Sequence, residues 1–352
     1  MKKQNVFVRL LLLILTAFLL SMPVLAKEAS LTKQEANQVS INDLELYPGG
    51  MPFGVKIVSK GLTVVRFSET TGKNASSAYE SGIREGDIII KVNGKSINTI
   101  EDFVKQVDKN GNKCMSITVI RDKKEMLFSV TPKYSQDDGK YKTGIWVKDS
   151  TSGIGTITFI DPKTNTFAGL GHAICDSTSG KIVPMSKGIV MDVNINGVVK
   201  GQIGSAGELK GSFKGKKIGS LYKNSSQGVF GVLADGTITP PEDCMRVCPK
   251  EEIKEGEAYI WCTLDEHGPQ KYKINISSID SSNSNTKNFR IRVTDEDLLE
   301  KTGGIIQGMS GSPIIQNGRI VGAVTHVLIN DPTSGYGIFI ENMLNQVNTI
   351  SI

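Results

Sequence analysis

The sequence predicts a mainly β protein of two or three domains, and three observations support this. The chain has 352 residues, enough for two or three domains of ordinary size. Glycine accounts for 37 of them without a collagen-like period, so turns are frequent. Beyond residue 144, short β-like runs alternate with glycine, and helical periodicity is confined to residues 295–301 and 343–347. Regularly spaced short strands of this kind indicate a barrel or a sandwich.

Composition excludes several classes of protein. A hydrophobic fraction of 39% with 22% charged residues excludes a disordered chain and a multi-span membrane protein. Five cysteines in a chain of this length exclude a small fold built on disulfides.

The first 26 residues have the layout of a secretory signal. Lys2, Lys3 and Arg9 precede an uncharged apolar run, which ends in a small-residue site at residues 24–26. Residues 10–26 are also at the short limit for a membrane span, so a cleaved signal peptide and a retained membrane tether are both open. In either case the remainder lies outside the cytoplasmic membrane. Without those three basic residues the net charge falls from +5 to +2, which gives no support to nucleic-acid binding.

A polar linker at residues 27–45 is followed by a predicted α+β domain at residues 46–133. The pattern indicates a Gly/Pro-rich loop at residues 47–54, two strands at 55–58 and 61–65, and a short helix at 76–82. A buried strand at 88–92, an Asn-Gly hairpin turn at 93–94, a second helix at 99–107 and a closing strand at 115–121 follow.

This domain resembles a PDZ domain, through the segments at residues 52–55, 78–82, 86–89 and 92–94. The resemblance implies peptide binding by β-augmentation, in which the strand edge at Phe53, Gly54 and Val55 pairs with an extended peptide. A small domain that only packs against its neighbour is the alternative.

After a second polar linker at residues 134–143, the domain at residues 144–352 contains the segment GMSGSP at residues 308–313. A serine attacks acyl groups only with an adjacent base and with N–H donors aimed at the developing oxyanion. Ser310 lies on a tight glycine-flanked turn that can direct the amides of Gly308 and Ser310 at one point. The alternative is an ordinary turn before a strand.

The sequence offers three histidines as the base. His172 lies between glycine and alanine on a loop after a strand, where it would fill a core poorly, so it is the favoured base. His267 lies in a polar turn and is interpreted as a solvated residue. His326 lies on an apolar strand and is the second candidate, although a pocket-lining role fits it better.

The acid that would orient the imidazole is left open by spacing, among Asp295, Asp297 and Asp331. Asp295 and Asp297 also stand at the start of a predicted helix, where a carboxylate can serve as a cap.

The cysteines predict no metal site and no cofactor. Cys244, Cys248 and Cys262 lack a fourth ligand at metal-like spacing, so buried thiols or one disulfide are expected. Cys175 lies three residues after His172, but Ser310 has the better setting for a nucleophile.

Nearly the whole chain resembles the SpoIVB sporulation serine peptidases of endospore-forming bacteria. The segments that carry this resemblance lie at residues 169–172, 293–295, 298–305, 307–313, 322–327 and 330–337. The resemblance implies a trypsin-like double β-barrel with His172 as base, Ser310 as nucleophile and Asp295 as the third member of the triad.

Two features depart from the pancreatic-type pattern. Met309 precedes the nucleophile where zymogen-activated enzymes have an aspartate, so activation by that ion pair is excluded. Asp295 precedes Ser310 by only fifteen residues, so it would approach His172 from the half of the domain that carries the serine.

The resemblance also implies a biological role. It implies an exported endopeptidase, located between the forespore and mother-cell membranes, that cleaves itself in its N-terminal region. It further implies cleavage of a membrane-anchored regulator of an intramembrane metalloprotease, which leads to activation of the late mother-cell sigma factor. The alternatives are an inactive exported PDZ scaffold and an HtrA-like quality-control protease, although in HtrA-like proteins the PDZ domain follows the protease domain.

Overall fold

The computed structural model describes residues 41–69, 75–177, 180–240, 242–282 and 286–347. The predicted signal segment or tether lies outside these residues, as does most of the first linker. Among the described residues, no helix is long and apolar enough to cross a bilayer. The first described element is a 3₁₀ turn at Ile41–Asp43.

The remaining described residues form strands and helices that are numbered here in chain order. The strands are β1 (Glu45–Pro48), β2 (Pro52–Phe67), β3 (Ile88–Val92), β4 (Lys95–Ser96), β5 (Met115–Arg121), β6 (Lys124–Val130), β7 (Lys133–Ser135), β8 (Lys140–Lys142), β9 (Ile145–Ile160), β10 (Thr166–Gly169), β11 (Met185–Val199), β12 (Glu208–Ser225), β13 (Gly228–Leu233), β14 (Met245–Arg246), β15 (Gly256–Thr263), β16 (Pro269–Ser277), β17 (Phe289–Val293), β18 (Pro313–Gln316), β19 (Arg319–Leu328) and β20 (Asp331–Phe339). The helices are α1 (Ser77–Glu80), α2 (Ile100–Asn110), α3 (Glu296–Thr302) and α4 (Ile340–Val347).

Six antiparallel strands close a first barrel. Around the ring, β2 pairs with β9, followed by β10, β13, β12 and β11, and β11 returns to β2. Large apolar side chains fill its interior, among them Phe53, Ile57 and Phe167, each with no exposed surface.

A second closed barrel follows, with the order β15, β16, β17, β20, β19 and β18. Ile274, Phe289 and Phe339 lie in its core together with Met309, which is fully buried. Two six-stranded barrels confirm the predicted double β-barrel.

The PDZ-type domain lies between the two long strands of the first barrel. Its core, which includes Leu62, Ile89, Phe103 and Ile117, is enclosed by the later half of β2, by β3 to β6 and by the two helices α1 and α2. Both helices begin at a side-chain cap: Ser76 accepts a hydrogen bond from the amide of Tyr79. Thr99 likewise accepts from the amide of Asp102.

The predicted peptide-binding edge at Phe53, Gly54 and Val55 is wrong. Both edges of β2 are paired there, with Phe53 opposite Gly155 of β9 and Val55 opposite Val190 of β11. The Phe53 ring is buried edge-on against Phe167, with centroids 5.6 Å apart. A strand with both rows of backbone groups paired cannot add a peptide, so these residues belong to the barrel core.

The two connections between barrel and PDZ domain also differ from the expected boundaries. The strand β2 leaves the barrel after Val58, where the pairing register shifts at a bulge, and its residues from Leu62 enter the PDZ core. The predicted linker at residues 134–143 contains the hairpin of β7 and β8, and Tyr141 packs on the PDZ core. The PDZ domain is therefore inserted into a β2–β9 hairpin of the first barrel.

We expect Phe53→Ala to lower the free energy of unfolding by about 3–5 kcal/mol, because it leaves a cavity in the first barrel. Urea denaturation measures the change. Ile203→Ala is the control, since that side chain is 83% exposed and its loss should shift stability by less than about 0.5 kcal/mol. Equal effects of the two variants would contradict the buried position of Phe53.

Candidate active site

The nucleophile loop lies against the first barrel. The hydroxyl of Thr156 donates to the carbonyl oxygen of Gly308 at 2.7 Å, and that of Thr158 donates to the carbonyl oxygen of Gly311 at 2.7 Å. The amide of Thr156 donates to the carbonyl oxygen of Ser310 at 3.0 Å. Both threonines are fully buried on β9, so these contacts fix the loop at the interface of the two barrels.

Glycine is required where this loop meets the first barrel. Gly311 has a φ of 93°, and a Cβ there would collide with the carbonyl oxygen of Thr156 and the amide of Leu170. The absence of a side chain lets the turn pack directly on the backbone that leads to His172.

The amides of Gly308 and Ser310 are left without a protein acceptor within the described part of the chain, while the amides around them are all bonded. Gln307 donates to Gly207, Met309 to Ile306 and Gly311 to Val324. Two free amides separated by one residue, beside a serine hydroxyl, are the donors that an oxyanion hole needs.

His172 is directed toward the second barrel by the turn after β10. Leu170 and Gly171 have φ of 68° and 66°, which reverses the chain. A Cβ on Gly171 would lie 2.8 Å from the methyl group of Thr325, so the backbone here contacts β19 closely. The imidazole of His172 then lies beside that of His326, with ring centroids 5.2 Å apart.

Ser310 reaches the same part of β19, since its hydroxyl donates to the carbonyl oxygen of Thr325 at 3.0 Å. The structure therefore brings His172 and Ser310 to neighbouring residues of one strand. In this state the hydroxyl is bonded to the backbone, and catalysis requires it to rotate toward the imidazole, as catalytic hydrogen bonds often tighten only with substrate.

The backbone sets the tautomer of His172. Its Nδ1 lies 2.9 Å from the carbonyl oxygen of Ala173, which can only accept, so Nδ1 carries the proton and Nε2 is left as the base. Burial lowers the pKa of His172, and the Ala173 contact opposes this in part. The imidazole is therefore neutral at physiological pH, as a general base must be.

His326 also lines the cleft, as the sequence interpretation expects. Burial lowers its pKa to about 4, assisted by the neighbouring His172 and Lys287. Its Nδ1 is buried and has no hydrogen-bond partner among the described residues. The cleft next to these rings has a volume of about 990 Å³ and is also lined by β9 at residues 151–154.

Asp295 lies elsewhere in this structure. One carboxylate oxygen accepts from the amide of Leu298 at 3.0 Å, which caps α3, and the other accepts from the amide of Lys273 at 3.1 Å. It lines a separate depression together with His267, and no contact joins it to His172 among the described residues. Its place in a triad stays a prediction.

The other acids are likewise engaged in local contacts. Asp297 pairs with Lys301 at 2.7 Å on the exposed face of α3. Asp331 accepts from the hydroxyls of Thr333 and Ser334, and these bonds lower its pKa. His267 is 74% exposed and lies 3.0 Å from Asp265, in agreement with its interpretation as a turn residue.

The five cysteines all lie within the described residues and are free thiols. Burial and the neighbouring Asp176 raise the pKa of Cys175, so this thiol is not activated as a nucleophile. No cluster of three or more potential metal ligands occurs among the described residues.

Sequence reasoning did not identify the residues that position the site. Thr156 and Thr158 do so by donating to carbonyl oxygens that are distant in sequence. Thr325 does so by accepting from the Ser310 hydroxyl through its own carbonyl oxygen. One sequence feature could have indicated this role. Thr156 and Thr158 lie on one face of an apolar strand, where buried hydroxyls need hydrogen-bond partners.

The protein is a double β-barrel with a serine, a neutral imidazole and two free amides at the interface of the barrels. These features define its class as a serine peptidase. The family model described as SpoIVB peptidase S55 matches residues 139–344, and a PDZ-domain model matches residues 70–121. The chain therefore belongs to the SpoIVB peptidase S55 family, as the sequence resemblance predicted, and carries a PDZ domain.

Two curated proteins are similar over short stretches. The Regulator of sigma-W protease RasP of Bacillus subtilis (strain 168) is 39% identical over 67 residues, which cover 19% of this chain and 16% of that protein. The human Serine protease HTRA4 is 37% identical over 76 residues, which cover 22% of this chain and 14% of that protein. The chain thus spans less than one fifth of the length of either relative.

Among solved structures, the active form of the Rv3671c protease from M. tuberculosis shows 14% sequence identity and a TM-score of 0.33, with 57% of this chain and 75% of that chain covered. The PDZ domain of the SdrC-like protein from Listeria monocytogenes shows 17% identity and a TM-score of 0.23, with 26% and 93% covered.

We expect the reactivity of Ser310 to fall at low pH as the base becomes protonated. The midpoint of this acidic limb of the pH–rate profile should lie below about pH 6.5, the ordinary pKa of histidine. Burial lowers the pKa of His172, so the neutral base persists to lower pH than a solvated imidazole would. The rate at which a fluorophosphonate labels Ser310, measured against pH, reports this midpoint. A midpoint at or above 6.5 would contradict a desolvated base.

We expect Asp295→Asn to retain more fluorophosphonate labelling than Asp295→Ala. Asparagine keeps a capping oxygen for α3, while alanine removes both side-chain oxygens that accept from the amides of Lys273 and Leu298, and about 1 kcal/mol of stability. Labelling rate and thermal unfolding are measured on the same samples. If Asn abolishes labelling as completely as Ala in a folded protein, the charge itself is required and Asp295 is the triad acid.

Proposed function

We propose that this chain is an exported serine endopeptidase that cleaves itself and a membrane-associated regulatory protein during endospore formation. The observation that carries the catalytic part is the convergence of His172 and Ser310 on Thr325 and His326, beside the free amides of Gly308 and Ser310. The biological part is supported by membership of the SpoIVB peptidase S55 family.

The proposed mechanism uses the tautomer that the structure sets. His172 Nε2 accepts the proton of the Ser310 hydroxyl while Oγ forms a bond to the scissile carbonyl carbon. The oxygen of that carbonyl becomes an oxyanion held by the amides of Gly308 and Ser310. The imidazolium then returns its proton to the leaving amine, and water hydrolyses the acyl-enzyme by the same route.

The proposed substrates are extended peptide segments. The cleft is open and lies beside β9, so a chain without stable structure can enter it. The polar segment at residues 27–45 has this character in sequence, and we place the self-cleavage in that N-terminal region.

The proposed regulatory role connects this enzyme to an intramembrane protease and the late mother-cell sigma factor. The similarity to a protein named as a regulator of sigma-W protease supports a role in sigma-factor signalling. We place the enzyme in the space between the forespore and mother-cell membranes, in keeping with the secretory layout of residues 1–26.

We expect the full-length wild-type chain, produced in a protease-deficient host, to lose its N-terminal segment, and Ser310→Ala to remain intact. Removal of the nucleophile leaves the binding surfaces in place but no acyl-enzyme can form. Intact-mass spectrometry gives the length of each product. Trimming of Ser310→Ala in isolation would contradict Ser310 as the nucleophile.

The matched control is Ser312→Ala, two residues further along the same loop. The Ser312 hydroxyl is buried and has no partner among the described residues, so its loss should leave trimming unchanged. Addition of purified wild type to Ser310→Ala should restore the cut, which shows that the variant is still a competent substrate.

A further inference from the structure

The loop that follows His172 is a small hairpin with two anchors. Within it, Cys175 and Ile182 form an isolated antiparallel β-bridge, and the amide of Asp176 donates to the carbonyl oxygen of Lys181 at 2.8 Å. We call the described residues 172–177 and 180–183 the base loop. The position of His172 depends on how this hairpin is held.

The first anchor connects the base loop to the first barrel. Asn224 of β12 accepts from the amide of Ile174 at 2.9 Å and donates to the carbonyl oxygen of the same residue at 2.9 Å. It also donates to the carbonyl oxygen of Val183 at 3.2 Å. One amide side chain thus fixes both arms of the hairpin to the barrel.

The second anchor is an ion pair that reaches toward the PDZ domain. Asp176 is 5% exposed and pairs with the ammonium of Lys148 on β9, whose side chain is 26% exposed. Lys148 lies opposite Thr63 of β2, where this strand pair enters the PDZ core. Its neighbour Val147 packs against that core.

A third contact on the same loop is exposed. Lys181 pairs with Asp122 at 2.5 Å, in the turn between β5 and β6 of the PDZ domain, with side-chain exposures of 61% and 73%. Exposed pairs contribute little because water and salt screen them, whereas breaking one partner of a buried pair leaves an uncompensated charge. The two pairs therefore form a natural comparison.

On the basis of the proposed function, we propose that Asp176 is a positioning residue for the peptidase reaction. Its buried ion pair with Lys148 fixes the position of the base loop, and with it that of His172, relative to Ser310. The same pair ties the catalytic base to the strands that carry the PDZ domain.

The proposed effect is large because catalysis is sensitive to small displacements. Asp176 is four residues from His172 in a tightly bonded hairpin, so loss of the anchor is transmitted along the backbone to the imidazole. A misplacement of about 1 Å in a catalytic group can cost on the order of 100-fold in rate.

The test compares Asp176→Asn with Asp122→Asn in the full-length protein, so the same chemical change is made in the buried and in the exposed pair. We expect the second-order rate of fluorophosphonate labelling to fall on the order of 10- to 100-fold for Asp176→Asn. For Asp122→Asn we expect a change within about twofold. Lys148→Met should lower the labelling rate about as much as Asp176→Asn does. The double variant Lys148→Met/Asp176→Leu should recover part of the rate, because it leaves no buried charge without a partner.

The acidic limb of the labelling rate separates positioning from mere stability. The groups that face His172 are His326 and Lys287 across the cleft and Cys175 on its own loop. Burial lowers the pKa of His172, so a loosened loop hydrates the ring and moves the limb to higher pH in Asp176→Asn. The limb of Asp122→Asn should not move.

The possible results are distinct. If Asp176→Asn lowers the melting temperature but the folded protein labels at the wild-type rate with an unmoved acidic limb, the positioning role is overturned. Equal loss in Asp122→Asn also overturns it, because the buried pair would then have no special part. If wild type itself fails to label at Ser310 in a folded state, the proposed function fails rather than the role of Asp176.

Discussion

The structure depends on the buried hydrogen bonds between β9 of the first barrel and the nucleophile loop of the second. Thr156 and Thr158, whose side chains are buried, donate to the carbonyl oxygens of Gly308 and Gly311. Each bond contributes only about 1 kcal/mol net, but a buried carbonyl left without a donor costs about 1–3 kcal/mol. These bonds hold the nucleophile loop against the first barrel, so that Ser310 and His172 both lie against neighbouring residues of β19.

The same strand also connects the active site to the PDZ domain. From Ile145 to Ile160, β9 first pairs with β2 in the PDZ domain, then lines the cleft, and finally bonds the nucleophile loop. Strands resist bending when both neighbours are paired, and β2 is paired on both sides in the barrel. An inserted domain on such a strand pair is mechanically coupled to the site rather than attached to it by a flexible linker.

The sequence predicted most elements, because local chemistry determines them. The start of α2 at Thr99, the Asn93-Gly94 turn and the alternation at residues 115–121 all depend on neighbours within a few residues. Phe53 shows where this reasoning stops. Its alternating strand fits an exposed PDZ edge and a closed barrel equally well, and the choice is made by β11, more than a hundred residues later. The role of Thr158 in holding the nucleophile loop was not predicted for the same reason, since its acceptor is 153 residues away.

The contact of His172 with Ala173 bears on the question of the acid. In a triad the carboxylate fixes the tautomer of the base and stabilises the imidazolium. Here the Ala173 carbonyl supplies the first of these functions, and as a dipole it supplies part of the second. The low dielectric around the half-buried ring makes such a dipole more effective than it would be in water. The Ala173 contact thus leaves one function for a carboxylate, full stabilisation of the imidazolium, while the carboxylate of Asp295 caps α3 and supports the segment that leads to Ser310.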